Sequence, residues 1–450
     1  MGYIDFSNRG SFGSKFGVIA AAAGSAIGLG NIWRFPYVVG ENGGGAFLIF
    51  YLGFIVLIGM PVMLSEFIIG RKAQRNPYGA FQVLKPGKPW YLVGLMGVLS
   101  AFLILAFYST VAGWTLDYLY ESVRNSFHAK NPGQLDAMFN NFISDNYKPV
   151  FWQFLFMLLT AGIVIAGVEK GIERYAKILM PLLLVIIIIL CIRAVTLPKA
   201  GEGLSFLFKP DFSKINANTI LEALGQAFFS LSIGMGALIT YGSYISKKDN
   251  ISSSAAIVSG ADTLIAIIAG IAIFPAVFAF GIQPDSGPDL VFKVLPNIFL
   301  QMPGGYYFSI IFFILLTVAA LTSSISLLEV AVAFFVEHTK MNRLLCTIIA
   351  TVIITALGIF CSLSFGLMSD FSILGKSIFD LFNDTTANIF LPLGGFFIVL
   401  FVGWFLPLKE VYNELSNDGT LKASLFWVFM VIIRFIAPIA IAAVFIKGII

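Results

Sequence analysis

Two glycine-rich interruptions lie inside apolar stretches of the sequence. The first reads AAAGSAIGLGNIWRFP and contains Gly28, and the second reads GQAFFSLSIGMGALITY and begins at Gly225. Glycine costs about 1 kcal/mol relative to alanine in a helix interior, so both stretches favour a broken helix. In lipid, peptide groups freed by a break must be satisfied by a ligand, an ion or water. Freed carbonyls suit a small cation and a free helix N-terminus suits a carboxylate, although the glycines could instead serve only close helix packing.

The composition indicates which elements must carry these interruptions. The chain has 450 residues, of which 58% are hydrophobic and only 12% are charged, and its mean hydropathy is +0.91. Soluble domains carry roughly 25% charged residues, so an all-α protein in a lipid bilayer is predicted. With two histidines, and three cysteines in apolar segments, a metal centre built on these side chains is not expected. The net charge of +4 is too small to indicate a nucleic-acid partner.

Stretches of about 20 apolar residues, enough to cross the hydrocarbon core, predict eleven membrane spans in a single domain. Their limits are 13–39, 44–71, 90–124, 151–168, 174–195, 216–244, 252–282, 306–339, 343–362, 375–405 and 423–447. Lysine and arginine gather in the loops after the second and fourth spans, which places these loops in the cytoplasm. The N-terminus is then cytoplasmic, and the C-terminus lies on the extracellular side.

The two interruptions fall in the first and sixth predicted spans, five helices apart. Because five is odd, the second set of five helices must enter the membrane from the opposite face, which is the pattern of an inverted repeat. We therefore predict repeats at 13–195 and 216–405, followed by an eleventh helix at 423–447. Paired broken helices indicate a binding site near the middle of the membrane.

Five motifs resemble those of the neurotransmitter:sodium symporter family. They are GSAIGLGNIWRFP and ENGGGAF in and after the first span, KGIERYAKILMP at 170–181, GQAFFSLSIGMGALITYGSY at 225–244 and AALTSSISLLE at 319–329. Their order and spacing extend over nearly the whole chain. The resemblance to the family's bacterial amino-acid transporters implies a leucine-transporter-like fold. It also implies sodium-coupled symport of L-amino acids across the cell membrane rather than an enzymatic reaction.

By this resemblance, two sodium ions bind beside the broken helices through oxygen ligands, which suit a hard cation. Besides the substrate carboxylate, the ligands of the first ion would be the carbonyl of Ala26 and the side chains of Asn31, Ser230 and Asp262. Those of the second would be the carbonyls of Gly24, Ile27 and Ala319 and the hydroxyls of Thr322 and Ser323. The two hydroxyls could instead bond only within their own helix.

Asp262 departs from the commoner family pattern, which has asparagine at this position. Chloride-dependent members bind chloride nearby, and their other ligands would match Tyr51, Gln226 and Ser230, but Ala266 stands where a serine is usual. An ionised Asp262 would supply the negative charge itself. We therefore expect chloride independence, unless the carboxyl is protonated and hydrogen-bonded locally.

The substrate class is suggested by Gly28, because the family's monoamine carriers have aspartate there and glycine leaves room for a carboxylate. By resemblance, Tyr108 would donate to this carboxylate, and Ser232 would lie near the substrate ammonium. Met235 replaces a common aromatic residue, and its flexibility favours bulky apolar or aromatic side chains. The expected contacts are Ala26, Gly28, Leu29, Gly30, Ile104, Tyr108, Phe229, Ser230, Ser232, Met235, Ser323 and Leu327. The same side chains could serve only helix packing.

Charged residues within the spans are expensive and suggest functional roles. By resemblance, Arg34 closes an outer gate by pairing with Asp380, or with Asp384 one turn away, unless its guanidinium reaches the headgroups. Glu66 is expected to cap, in protonated form, the backbone freed at the sixth-span break. Glu329 receives no role. The members of the inner gate would be Arg9, Glu337 and Tyr244.

Two other functions remain open at this point. A proton-coupled transporter could use Asp262 or Glu66, and a sensor could bind amino acids without moving them. The preferred amino acid and the oligomeric state are not determined by the sequence.

Overall fold

The computed structural model describes residues 10–128, 130–281, 291–339 and 341–449, and this part of the chain is almost entirely α-helical. Within it, nine helices are long and apolar enough to cross a membrane. They are Gly45–Ala73, Tyr91–Val123, Lys148–Ile165, Val168–Val195, Ile251–Ala279, Gly305–His338, Arg343–Leu363, Ile378–Phe405 and Phe426–Gly448. In the described residues, β-pairing is limited to two isolated bridges.

The first and sixth spans are each divided into two helices. The first consists of Lys15–Ala26 and Gly30–Glu41, which are bent by 49° at the break. The sixth consists of Ala217–Ser230 and Ala237–Gly242, and its halves are too short to span a bilayer singly. With the bent first pair counted as one span, the described residues contain ten candidate spans, and the sixth predicted span corresponds to the divided helices Ala217–Ser230 and Ala237–Gly242. The predicted fold class is confirmed, while the limits of the two repeats stay a prediction.

Span limits differ from the predicted ones by a few residues. The fourth span begins at Lys148, and the fifth begins at Val168, where a wide π-turn over Val168–Glu173 continues into Arg174–Val195. Short helices in the connections are Pro77–Leu84, Pro132–Ser144, Ala200–Phe208, Val294–Gln301 and Leu408–Ser416, with a 3-10 turn at Phe212–Lys214.

The first span lies at the centre of the helix bundle. Its N-terminal half, Lys15–Ala26, packs against the fifth, seventh and eighth spans, and the eighth lies along the third. Alanines 20–23 are all at least 96% buried, because small side chains let membrane helices approach closely. The break that follows this half is therefore surrounded by protein rather than lipid.

Candidate functional site

At the break in the first span, two backbone N–H groups are bonded to side chains. At Ile27 the backbone leaves the helical region, with φ −77° and ψ 99°. The Gly28 N–H donates to Asn31 Oδ1 over 3.2 Å. The Leu29 N–H donates to the hydroxyl oxygen of Tyr108, also over 3.2 Å. Side chains from inside the bundle thus compensate for the missing helical hydrogen bonds.

The break in the sixth span depends on left-handed backbone conformations. Ser232, Gly234 and Gly236 have φ values of +55°, +85° and +77°. A Cβ atom on Gly234 would lie 2.5 Å from the carbonyl oxygen of Leu391, so only glycine fits there. The Gly234 N–H donates to Glu66 Oε1 over 2.7 Å. The predicted capping of this break by Glu66 is confirmed.

A carboxylate cluster joins the first, second, sixth and seventh spans. Asp262 accepts from Asn31 Nδ2 at 2.7 Å and from the Ser230 hydroxyl at 2.7 Å. The Tyr51 hydroxyl donates to Ser230 Oγ over 3.1 Å. All four side chains are buried, and within the described chain no lysine or arginine pairs with Asp262. A buried carboxylate without a basic partner favours a cation beside it.

A second oxygen cluster bridges the first and eighth spans. Thr322 Oγ1 lies 3.3 Å from the Ile27 carbonyl oxygen and 3.0 Å from that of Ala319, and Ser323 Oγ lies 3.4 Å from the Gly24 oxygen. Thr322 also bonds back to Val318, as a hydroxyl inside a helix often does. Five neutral oxygens from two helices fit a hard monovalent cation. The described residues contain no group of three His, Cys, Asp or Glu suited to other metals.

A cavity of about 30 Å³ lies between the two breaks. Its lining residues are Ser25, Ala26, Gly28, Gly30, Ile104, Tyr108, Phe229, Ser232, Met235, Ser323, Ser326 and Leu327. Ten of the twelve predicted substrate contacts therefore line one cavity. Leu29 instead lines a second, larger cavity, which we call the outer cavity. Ser230 belongs to the carboxylate cluster. Ser25 and Ser326 are lining residues that the sequence did not single out.

The outer cavity has a volume of about 430 Å³ and is separated from the inner one by Tyr108 and Phe229, which line both. Arg34 and Asp380 also line the outer cavity. The guanidinium of Arg34 lies 4.6 Å from the ring centre of Phe229. It donates to Gln226 Oε1 over 3.1 Å.

The predicted outer-gate ion pair is not formed in this structure. Asp380 accepts from the Ser377 hydroxyl at 2.7 Å, and Asp384 pairs with Lys376 at 2.6 Å. Because Arg34 and both acids line the same cavity, the gate stays a prediction for another conformation.

At the end of the bundle away from the outer cavity, the buried Glu329 carboxylate accepts hydrogen bonds from Tyr244 and Arg343. The Tyr244 hydroxyl donates to Glu329 Oε1 over 2.7 Å, and Arg343 Nη1 donates to the same oxygen over 3.1 Å. Arg343 Nη2 also donates to the Val164 carbonyl over 2.8 Å. The predicted inner-gate residue Tyr244 thus connects the sixth, eighth, ninth and fourth spans.

The other inner-gate residues are only partly described. Glu337 accepts two hydrogen bonds from Asn76, one from its backbone N–H at 2.7 Å and one from its side-chain amide at 2.6 Å. Arg9 lies outside the described residues. The predicted Arg9–Glu337 pair therefore stays a prediction.

Glu173, in the π-turn of the fifth span, holds the N-terminus of the first span. Its Oε2 accepts from the Gly13 N–H at 2.6 Å, and its Oε1 accepts from the Ser14 hydroxyl at 2.9 Å. Lys177, one turn later, lies 2.5 Å from Oε1. A Cβ atom on Gly17 would lie 2.1 Å from the same carboxylate. Sequence reasoning did not assign this contact.

Comparison with known proteins agrees with this geometry. The family model described as the sodium:neurotransmitter symporter family matches residues 9–141 and 138–450. A sodium-dependent transporter of Bacillus subtilis, YhdH, is 41% identical over 434 residues, which is 96% of each chain. A sodium-dependent transporter of Haemophilus influenzae is 38% identical over 456 residues, which is 98% of each chain.

A solved structure gives the same result for the fold. The crystal structure of MhsT in complex with L-phenylalanine matches with a TM-score of 0.91 and 51% identity, over 98% of this chain and 100% of that chain. The family and these relatives are transporters rather than enzymes. The resemblance drawn from the motifs is confirmed: the chain belongs to the sodium:neurotransmitter symporter family and is a sodium-dependent, multi-pass membrane transporter.

Proposed function

We propose that the protein carries hydrophobic or aromatic L-amino acids into the cell together with two sodium ions, by alternating access and without chloride. The observation that supports this most directly is the cavity between the two helix breaks, which combines residues of both breaks with an apolar wall. MhsT, which shares this fold at 51% identity, has been crystallised with L-phenylalanine.

In this proposal, the ends of the cavity have different tasks. The substrate carboxylate lies near the Leu29 N–H and the Tyr108 hydroxyl, which already form a hydrogen bond with each other. The ammonium lies near the Ser232 hydroxyl and the carbonyls at the end of Lys15–Ala26. The side chain lies against the apolar residues Ile104, Phe229, Met235 and Leu327.

The first sodium ion would bind at the carboxylate cluster, where Ser230 and Asp262 supply side-chain oxygens. Asn31 presents its Nδ2 to Asp262 in this structure, so its proposed part as a ligand requires the amide to turn its Oδ1 toward the ion. The second would bind between the first and eighth spans, at the carbonyls of Gly24, Ile27 and Ala319 and the hydroxyls of Thr322 and Ser323. Both sets include residues of the first-span break, so ion binding and substrate binding would stabilise the same backbone arrangement.

Coupling to two sodium ions would supply a large free energy for accumulating the substrate. Moving one charge through 100 mV yields about 2.3 kcal/mol, and a tenfold sodium gradient adds about 1.4 kcal/mol per ion. Two ions therefore supply roughly 7 kcal/mol, enough for about 10⁵-fold accumulation, whereas one ion gives a few hundredfold. Reversal potentials measured in proteoliposomes distinguish the two stoichiometries.

Chloride independence is supported by the position of Asp262. Its carboxylate lies within 2.7 Å of Asn31 and Ser230, and the Tyr51 hydroxyl contacts the same serine. A fixed negative charge there takes the place of an anion. Uptake should persist when chloride is replaced by gluconate and should fall in Asp262→Asn. Loss of wild-type uptake in gluconate would contradict this part of the proposal.

The central experiment is sodium-driven uptake by the purified protein in proteoliposomes, with twenty amino acids as competitors. We expect hydrophobic and aromatic amino acids to compete most strongly. Uptake that continues when choline replaces sodium at fixed pH would indicate proton coupling instead. Binding without stoichiometric uptake would indicate a sensor. Thiol labelling from each side tests the proposed cytoplasmic N-terminus and extracellular C-terminus.

A further inference from the structure

Two serine hydroxyls form a polar patch in the otherwise apolar side-chain end of the inner cavity. Ser25 Oγ donates to Ser326 Oγ over 2.8 Å, and Ser326 Oγ donates to the Ser323 carbonyl over 2.7 Å. Both serines are at least 98% buried, and both line the cavity together with Met235 and Leu327. Their hydroxyls are thus enclosed with the part of the substrate that varies among amino acids.

The hydrogen-bond inventory leaves open lone pairs on Ser25 Oγ, whereas Ser326 Oγ already accepts from Ser25 and also contacts the Tyr241 hydroxyl. A serine hydroxyl has one proton and two lone pairs, and both protons are already engaged by Ser326 and by the Ser323 carbonyl. In the described part of the chain, no N–H or O–H donates to Ser25 Oγ. Because Ser25 Oγ lines the cavity with its lone pairs free, it can accept a hydrogen bond from a ligand that brings a donor.

The pair lies away from the groups assigned to the substrate carboxylate, whereas the Ser25 carbonyl accepts from the Ser232 hydroxyl at 2.9 Å, at the end assigned to the ammonium. Ser326 is three residues beyond Ser323 on the eighth span, which is about 4.5 Å along a helix. Ser25 precedes the first-span break, whereas the Leu29 N–H and its partner Tyr108 lie beyond the break. A substrate with its carboxylate at Tyr108 can therefore direct its side chain toward the serine pair.

We propose that Ser25 determines specificity by accepting a hydrogen bond from the substrate's side chain, and that Ser326 positions it by engaging its proton. The preferred substrates are then aromatic amino acids with a ring O–H or N–H, namely tyrosine and tryptophan, over phenylalanine. This inference rests on the proposed function. Its physical basis is that a site built to bond a substrate hydroxyl disfavours the analogue without it, since its own polar groups stay unpaired.

Tyrosine and phenylalanine are a matched pair for the test, because they differ only in the phenolic hydroxyl. Competition against sodium-driven uptake in proteoliposomes should show tyrosine binding about tenfold more tightly than phenylalanine. In Ser25→Ala and Ser326→Ala, this ratio should approach one, mainly through weaker tyrosine binding. Ser324→Ala is the control, since this hydroxyl bonds to Thr160 and the Leu321 carbonyl instead and should leave the ratio unchanged.

The outcomes separate this inference from the proposed function. If the wild type takes up no amino acid with sodium, the proposed function fails. If it takes up phenylalanine and tyrosine equally well, or if the ratio survives in both alanine variants, the serine assignment is wrong. 4-Fluorophenylalanine, similar in size to tyrosine but lacking a donor, tests the wild type directly and should behave like phenylalanine; tyrosine-like binding would also overturn the assignment.

Discussion

Replacing Glu173 by glutamine should loosen the N-terminal end of the first span. The Glu173 side chain is 98% buried and accepts from the Gly13 N–H and the Ser14 hydroxyl. These two donors belong to the N-terminus of Lys15–Ala26, where a negative charge is also favoured by the helix dipole. Glutamine keeps the shape and one acceptor oxygen but removes the charge.

The size of the effect follows from the two hydrogen bonds. A bond to a charged group contributes about 1.5–3 kcal/mol and a neutral one about 0.5–1.5 kcal/mol, so two weakened bonds cost roughly 2 kcal/mol. Lys177 is 35% exposed, and solvent screens its ion pair, so we add nothing for it. A loss of about 2 kcal/mol corresponds to about 30-fold easier opening of this contact.

Hydrogen–deuterium exchange measures this opening directly. In Glu173→Gln, amides at 13–17 should exchange about 30-fold faster than in the wild type. Glu202→Gln is the control, because Glu202 lies exposed in the connecting helix Ala200–Phe208, away from the first span. Unchanged exchange in Glu173→Gln, or equal acceleration in both variants, would refute the assignment of this contact.

Two further substitutions test the helix breaks. Gly28→Ala should lower uptake at least about tenfold, since the added Cβ would lie 2.3 Å from Ser323 Oγ and displace a proposed ligand. Gly225→Ala, whose Cβ would meet nothing within 4 Å, should transport normally. Glu66→Leu should lower stability by about 1–3 kcal/mol in thermal unfolding, because the Gly234 N–H loses its acceptor. Glu66→Gln should retain most of that stability, and equal losses in both variants would contradict the capping role.

The spans were predictable from the sequence because lipid imposes a length and a composition on each helix. The limits were less predictable where local geometry decides them. The fifth span begins six residues before its predicted start, since the polar residues of Val168–Glu173 continue the helix as a π-turn. Their charged side chains lowered the local hydropathy and concealed this helical turn.

The candidate site was predictable where a motif carried its residues. Asn31, Ser230 and Asp262 lie far apart in the chain, and only the family resemblance brought them together before the structure did. The partners of Glu329 could not be predicted, because Arg343 lies at the start of the next span and no spacing rule links the two. Ser25 and Ser326 were missed for a related reason, since a small hydroxyl in a membrane helix usually indicates packing or bonding within its own helix.

The half-helix Lys15–Ala26 is tethered at both ends, which links sodium binding to the Glu173 contact. At its C-terminal end, the Gly24 carbonyl faces the proposed second sodium ligands on the eighth span, and at its N-terminal end Glu173 holds the first turn. Both tethers favour the same conformation, so each must strengthen the other by linkage. Glu173→Gln should therefore raise the sodium concentration that half-closes the bundle at the N-terminal end of this half-helix, by up to about 30-fold. A cysteine placed at Ala20, which is buried in this half-helix and bonds neither to Glu173 nor to the proposed sodium ligands, reports this by labelling in a cysteine-free background. Glu202→Gln should match the parent. If exchange shows the contact broken while the sodium midpoint stays unchanged, the two ends of this half-helix move independently.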